Sequence, residues 1–383
     1  MSSLAIKPSG PAMEITIHKS DLLTELSATQ SVTDRKSTVP ILSNFLFETA
    51  GDKLLITATD LDLSLRTSCQ AKVKISGSCA IPARKLYDYV RLLQDGELTI
   101  KLLDNHWVQI HSGRSNTKMV GMARENFPAL PLFPTDVRIP LPAQWLRTMI
   151  ARTIFAISQE ESRYTLNGAL LVLKPEGMTM VATDGHRLAL AETVNCKLPI
   201  SAETKILISK KALAEIGSLL NSVELEVVYL AKNESTLFFL IGKRLLTCRQ
   251  LTGSFPNYEA VLPCDLDKTI SVSGPVLSRA LQRVSQFADE RSNSVRLQVA
   301  KDQLRISSSS AETGESEDLI ETSYVGDPMM IGFNAQYLLD FMKVAGTGNV
   351  KFHFKATGAP GEFHPADGDG QGKFRYIVMP MRA

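Results

Sequence analysis

The sequence predicts an α+β fold of three repeated domains, each made of two β-α-β-β-β units with antiparallel sheets. Three observations predict it. First, a pattern recurs along the 383 residues: Leu54–Asp60 reads LLITATD and Met178–Asp184 reads MTMVATD, while Asn44, Asn167 and Asn293 stand 123 and 126 residues apart. A period that long is a whole domain rather than a solenoid unit. Second, Ile15, Ile139 and Ile270 each open an extended stretch, and Leu86, Leu213 and Leu338 each sit early in a helical one. Third, consecutive strand-like runs are joined by turns, which implies antiparallel pairing.

In the first repeat, Glu14–His18 is a short strand. A helix follows with Leu22, Leu23 and Leu26 on one face, then strands over Ile41–Thr49, Lys53–Thr59 and Asp62–Gln70. The order restarts with an extended Ser78–Ile81 and a helix opened by Pro82, a residue suited to a first turn. Leu86, Tyr89, Val90 and Leu93 mark its apolar side. Strands over Leu98–Leu103, Trp107–Ser112 and Thr117–Ala123 complete the unit, separated by turns at Asp104-Asn105 and Ser112-Gly113-Arg114. The other repeats fit the same scheme, with helices over Ala143–Ile157, Ser209–Leu220, Pro275–Phe287 and Asn334–Gly346. Two helices per domain cover one face of the sheets, so one side of the assembly is expected to be helical and the other strand-built.

Proline-rich stretches at Phe127–Pro134 and Phe255–Pro263 read as extended linkers. They divide the chain into an extension, 1–12, and domains 13–134, 135–265 and 266–383. The first twelve residues lack the apolar core of a signal peptide and read as a loose tail. Ser307–Asp318, rich in serine and acid, and Ala356–Gly372, rich in Gly, Pro and Asp, read as exposed loops.

Apolar content of 44% and charged content of 21% are those of an ordinary globular protein. No run of about 20 apolar residues could span a bilayer. Five scattered cysteines without a CxxC pair argue for reduced thiols in a cytoplasm. The six histidines do not cluster at ligand spacing, and no phosphate-cradling glycine loop or G-x-S-x-G elbow is present. The reading therefore includes no metal, no cofactor and no catalytic residue. Thr183–Leu188, TDGHRL, could be taken for a hydrolase site using Asp184 and His186. The first repeat has Thr59-Asp60-Leu61-Asp62-Leu63 in the same slot, so the turn is structural and the His-Arg pair is an addition of the middle domain.

The net charge of +2 does not by itself mark a nucleic-acid binder. Its distribution does. The helix windows 19–36, 82–93, 143–157, 209–220, 275–287 and 334–346 carry 13 Lys or Arg against 6 Asp or Glu, a net +7 that leaves −5 elsewhere. A cationic helical side on an otherwise acidic chain suits a surface facing phosphates. A domain of ~125 residues has an effective radius of about 18 Å. Three such spheres in a triangle leave a hole of only ~5 Å, and six in a hexagon leave roughly 36 Å. A duplex, wider than the ~16 Å of its summed groove depths, needs two chains to encircle it. A scaffold that binds DNA or RNA without closing a ring is the alternative.

Val39-Pro40-Ile41-Leu42, Pro82–Lys85, Tyr164–Gly168, Ala182–Leu188, Phe255–Tyr258, Ile331–Asn334 and the ending Met379-Pro380-Met381-Arg382, taken in order on a triplicated chain, resemble the bacterial sliding clamps, the beta subunits of DNA polymerase III. The resemblance covers Met13 to Arg382. It implies the DNA clamp fold: a head-to-tail homodimeric ring around duplex DNA, helices lining the central hole and sheets outside. It also implies a processivity factor that tethers the polymerase III catalytic subunit, the clamp loader, other DNA polymerases and repair proteins, with no chemistry of its own. A hydrophobic peptide-binding pocket between domains 2 and 3 would be formed by Leu166, Thr183, Gly185, His186, Arg187, Leu188, Pro256, Val261, Tyr337, Val350, Ile377, Met379, Pro380, Met381 and Arg382. Relatives often carry arginine before the valine, where this chain has Ala260. Matching DNA-binding positions are Arg35, Lys36, Arg84, Arg163, Tyr164, Lys210, Lys211 and Arg291, with Glu160 and Glu161 making the neighbouring loop more acidic than in relatives. The dimer contact would set the edge strand, including Thr117, Lys118, Met119 and Val120, against Gln286 and Phe287 of the other chain.

Overall fold

The computed structural model describes residues 13–33, 38–134, 138–366 and 372–381. The expected 1–12 extension, Arg35, Lys36, Arg382 and part of the 356–372 loop lie outside them.

The β-α-β-β-β unit occurs six times. The first repeat runs β1 (Met13–His18), α1 (Lys19–Thr29), β2 (Asn44–Ala50), β3 (Lys53–Thr59), β4 (Leu63–Gln70), an added β5 (Lys72–Ile75), β6 (Ser78–Pro82), α2 (Ala83–Leu92), β7 (Glu97–Leu102), β8 (Trp107–Ser112) and β9 (Ser115–Val120). The second runs β10 (Ile139–Pro142), α3 (Ala143–Thr153), β11 (Gly168–Lys174), β12 (Gly177–Thr183), β13 (Arg187–Glu192), β14 (Thr204–Ser209), α4 (Lys210–Asn221), β15 (Val227–Lys232), β16 (Thr236–Ile241) and β17 (Arg244–Arg249). The third runs β18 (Lys268–Ser273), α5 (Gly274–Val284), β19 (Ser294–Ala300), β20 (Gln303–Ser310), β21 (Gly314–Glu321), β22 (Met329–Asn334), α6 (Ala335–Met342), β23 (Asn349–Phe354), β24 (Gly361–Pro365) and β25 (Lys373–Val378).

Three expectations are corrected. Ile41–Thr49 is not one strand, because Pro40–Ser43 forms a 3-10 turn before β2 begins; Pro40 fixes its own φ and has no N–H for a ladder. The Thr117–Ala123 strand ends at Val120. Ser307–Asp318 is chiefly a hairpin, since β20 and β21 pair from Gln303↔Glu321 to Ser310↔Gly314. Inward positions of β20 are taken by Leu304, Ile306 and Ser308, all buried, and the Ser308 hydroxyl donates to Ser294 O at 2.8 Å.

The chain folds as two compact units that do not follow the repeats: Met1–Pro140 with Ser218–Arg249, and Leu141–Gly217 with Gln250–Ala383. In the first unit, one antiparallel sheet has the order β5-β1-β7-β8-β9, leaving β9 at an edge. The other includes the run β15-β16-β17-β4-β3-β2-β6. It joins strands of the first and second repeats through the register Leu245↔Arg66 to Cys248↔Leu63. Behind that join a buried ion pair crosses the repeats. Arg244 Nε donates to Glu25 Oε2 at 3.0 Å, and Thr67 Oγ1 donates to the same oxygen at 2.5 Å.

In the second unit, the sheet β14-β11-β12-β13-β25-β24-β23-β18 likewise joins two repeats, from Arg187↔Val378 to Glu192↔Lys373. A four-stranded sheet β21-β20-β19-β22 completes it. The core of the third repeat is aromatic: Phe352 stacks on Phe363 at 4.4 Å, and Phe341 stacks on Tyr376 at 5.3 Å. Among the described residues no helix is long and apolar enough to cross a membrane.

Candidate peptide site and cationic residues

The Thr183–Leu188 turn is built by its own side chains. Thr183 Oγ1 accepts from Gly185 N (3.1 Å) and donates to Arg187 O (2.6 Å). Asp184 Oδ1 accepts from His186 N (2.9 Å) and Arg187 N (3.1 Å). The first repeat has the same geometry: Thr59 Oγ1 accepts from Leu61 N, and Asp60 Oδ1 accepts from Asp62 N and Leu63 N. The motif is a side-chain-braced turn, and the Asp184 carboxylate is spent on it. Asp184 and His186 are thus not an acid–base pair held in a cleft. Gly185 has φ +89°, a left-handed conformation that favours glycine.

Arg187 follows directly and is largely buried. Its Nε donates to Asp184 Oδ2 (3.0 Å), Nη1 to Asp340 Oδ2 (2.8 Å) and Nη2 to Phe155 O (2.7 Å). The guanidinium lies 4.3 Å over the Tyr337 ring. Asn334 caps α6 by accepting from Gln336 N and Tyr337 N, and one turn of that helix presents Tyr337 and Asp340 to the guanidinium together. Burial alone would weaken the Arg187 charge, but Tyr376, Asp340 and Asp184 raise its pKa above the usual value. Burial also works against the Asp340 carboxylate, yet hydrogen bonds from Arg187, Lys343 and Gln336 hold it below the usual range. Arg187 is therefore committed inward, and the surface beside it is left to its neighbours.

Those neighbours converge through β25. Leu188 is paired with Ile377. Beyond the strand, Met379 N donates to His186 O (2.9 Å) and Met381 N to Gly332 O (2.8 Å), so the chain end is laced between the Gly185–His186 turn and β22. Gly185, His186 and Met379 are exposed and Pro380 and Met381 are half-exposed. Val181, Leu188, Leu190 and Ile377 form a buried apolar cluster on which Phe255, Tyr258 and Leu262 pack; this segment carries the exposed Pro256 and Val261. Leu166 lies in a 3-10 turn, whose preceding residue, Arg163, donates to Asp184 O at 2.6 Å.

Val350 is not brought to this surface. It is fully buried in β23, with a Cβ on Gly274 placed 3.6 Å from its side chain. Sequence reasoning also misses Phe155, Asp340 and Tyr376, which hold Arg187, and Phe255 and Tyr258, which floor the segment. Only the aromatic Phe-Pro-Asn-Tyr run could have signalled the latter. Phe255 and Tyr258 also line a cavity of about 440 Å³, with Leu170, Lys205, Leu207, Leu251 and Pro256 among others.

The cationic candidates differ in exposure. Arg84, Lys211 and Arg291 are exposed, with Arg84 3.7 Å from Asp88. Tyr164 is exposed, but Arg163 pairs with Glu160 at 2.8 Å. Lys210 is half-buried; burial, then the Arg187 charge, lower its pKa. The helix charge count overstates the available cations. Arg152 is buried 5.1 Å over Phe374, Arg283 pairs with Asp318 at 2.8 Å, and Lys343 pairs with Asp340 at 2.9 Å. On β9, Thr117 is half-buried, Lys118 and Val120 point outward and Met119 inward; Gln286 and Phe287 are exposed in a 3-10 turn after α5. Among the described residues no three His, Cys, Asp or Glu side chains group as a metal site.

Six β-α-β-β-β units in three repeats define a sliding-clamp fold. Solved sliding clamps superpose on the chain: one from Pseudomonas aeruginosa bound to griselimycin with a TM-score of 0.90 at 31% identity, and one from Bartonella birtlesii, also bound to griselimycin, with 0.92 at 30%, each covering 97% of this chain and 100% of the other. The models of the DNA polymerase III beta subunit N-terminal, central and C-terminal domains match residues 13–131, 140–257 and 259–382. The beta sliding clamps of Caulobacter vibrioides and Vibrio cholerae are 33% and 31% identical over 377 and 373 residues, 97% of this chain and 100% of each relative. The chain belongs to the DNA polymerase III beta subunit family, the beta sliding clamps. It is a DNA polymerase processivity factor, a non-catalytic component of DNA replication.

Proposed function

We propose that two copies close head to tail into a ring around duplex DNA, and that a pocket built from domains 2 and 3 receives a short hydrophobic peptide. Domains at 13–134, 135–265 and 266–383 follow an extension of residues 1–12. The ring holds DNA because it is closed. Weak, screened phosphate contacts from Arg84, Lys211, Arg291 and their neighbours, with Arg35 and Lys36, then permit sliding. The pocket turns a polymerase's rebinding into an intramolecular event at high effective concentration. Its clients are the polymerase III catalytic subunit, the clamp loader, other DNA polymerases and repair proteins, in the cytoplasm.

One observation carries the pocket: the Met379–Met381 chain end is hydrogen-bonded between His186 and Gly332, beside exposed Gly185, Pro256 and Val261. Methionine at such a surface adapts to varied apolar side chains. Two features support the ring. β9 offers an unpaired strand edge bearing Lys118, and β21 offers another bearing Glu315, Glu317 and Glu321, edges suited to pairing between chains.

Fluorescence titration with a Gln- and Leu-containing partner peptide tests the pocket. Met379→Ala and His186→Ala should weaken binding while leaving thermal stability unchanged; unaltered affinity in both would refute the assignment. For the ring, the loaded protein should stay on closed circular DNA and leave once the circle is cut. Equal loss from both forms would instead favour an open scaffold.

A further inference from the structure

Residues eleven apart in sequence, His353 on β23 and His364 on β24, lie diagonally across the hairpin, where Lys351 pairs with His364 and His353 with Glu362. The rings meet edge to edge, their centroids 4.7 Å apart and their planes within 18°, and their Nε2 atoms stand 2.6 Å apart. Each remaining ring nitrogen has a partner. His364 Nδ1 lies 2.9 Å from Pro365 O, and His353 Nδ1 lies 2.6 Å from Thr269 Oγ1 on β18. A carbonyl only accepts, so His364 carries its proton on Nδ1, and its Nε2 accepts from the Nε2–H of His353. A hydroxyl both donates and accepts, so Thr269 can serve His353 in either tautomer.

We propose that His353 and His364 form a two-imidazole site for a borderline divalent first-row cation, with Zn²⁺ as the type ion and water completing its shell. Imidazole suits such ions, and a metal-bound imidazole typically donates its second N–H to a carbonyl or similar oxygen. The His364 ring already stands in that arrangement, and the Thr269 hydroxyl is in place for His353. Binding requires a change of tautomer and a tilt of the rings. The His353 proton moves from Nε2 to Nδ1, Thr269 turns from donor to acceptor, and the two nitrogens part to roughly 3.3 Å, the separation set by Zn–N bonds of about 2.05 Å in a tetrahedron. No net proton is released.

The flanking charges limit affinity. Lys351 and Arg375 are positive, and Glu362 is engaged by Arg375 through two hydrogen bonds of 2.8 Å. A hard ion such as Mg²⁺, which prefers oxygen ligands, should not bind here.

Calorimetric titration of Zn²⁺ into the full chain at neutral pH, with thermal unfolding in parallel, tests the proposal. One site per chain should appear that raises the melting temperature, and Mg²⁺ should not reproduce it. His353→Gln and His364→Gln should each abolish it, Thr269→Val should weaken it roughly 10–100-fold, and His186→Ala should leave it intact. Absence of Zn²⁺ binding, or binding that survives both histidine variants, would overturn it, and the pair would then be a proton-sharing bridge only.

Discussion

Arg187 shows how a residue can be rightly singled out for an incomplete reason. The resemblance assigns it to a peptide pocket, yet its guanidinium is occupied by Asp184, Asp340, Phe155 O and the Tyr337 ring. Removing it strands two partly buried carboxylates, so Arg187→Ala should cost about 3–5 kcal/mol, read by chemical denaturation. Arg187→Lys should rescue little, because a single ammonium cannot supply the fork of donors or the flat stacking face. Peptide affinity lost in Arg187→Ala would thus report a displaced turn, whereas loss in Met379→Ala would report contact.

Glu25 makes a second residue-scale prediction. Burial would raise its pKa, but hydrogen bonds from Arg244, Thr67 and Lys243 overcome this and hold it below the usual glutamate value. A depressed folded-state pKa contributes stability that is present above the unfolded value, about 4.3, and is lost as pH falls through the folded value. Thermal unfolding of the wild type should steepen in its pH dependence below about pH 4.3. Glu25→Gln should be less stable at neutral pH and show a flatter acid limb.

At the scale of elements, what is legible follows from periodicity. The six helices lie within their expected windows or overrun them by one residue, because their apolar faces repeat at helical spacing, with Pro82 and Pro142 just before α2 and α3 and Pro275 in the first turn of α5. β5 escapes a sequence reading because KVKI is charged, short and exposed. The Ser307–Asp318 part of the β20–β21 hairpin reads as a loop because polar residues fill both of its faces. Ser308 occupies a core position through its hydrogen bond to Ser294 O, and Asp318 is answered by Arg283 on α5. Of the site, the Gly185–His186 turn and the chain end are legible as local motifs. The Asp340 and Phe155 contacts and the His353–His364 pair are not, since they depend on which strands and helices become neighbours. Edges have consequences too. If β9 and the Ser285–Phe287 turn meet across a dimer, charge placed at either site should separate the chains. Val120→Glu or Phe287→Glu should shift sedimentation equilibrium toward the monomer by at least tenfold in Kd, about 1.4 kcal/mol, with folding unchanged. A Kd equal to that of the wild type in both variants would exclude this contact.

For the whole molecule, the repeats and the compact units are different divisions of one chain. The sheet join β17·β4 binds the second repeat to the first, and the join β13·β25 binds it to the third. Strand pairing of this kind leaves unsatisfied N–H and C=O groups wherever it is cut. A fragment ending at residue 134 should therefore expose the β4 edge and associate or aggregate on size-exclusion chromatography. Adding residues 218–249 in trans as a peptide should reduce that association; if the fragment alone proves monodisperse, the join is dispensable.

The same joins bear on inheritance. A middle third exchanged between distant relatives would arrive with two foreign borders, one facing β4 and one facing β25. Its side chains there must match hosts with which they never evolved. Tandem copying made this gene divisible into thirds on paper, but natural shuffling of those thirds should be rare, and a single crossover between β13 and β17 should be the least tolerated, because it makes both joins foreign at once.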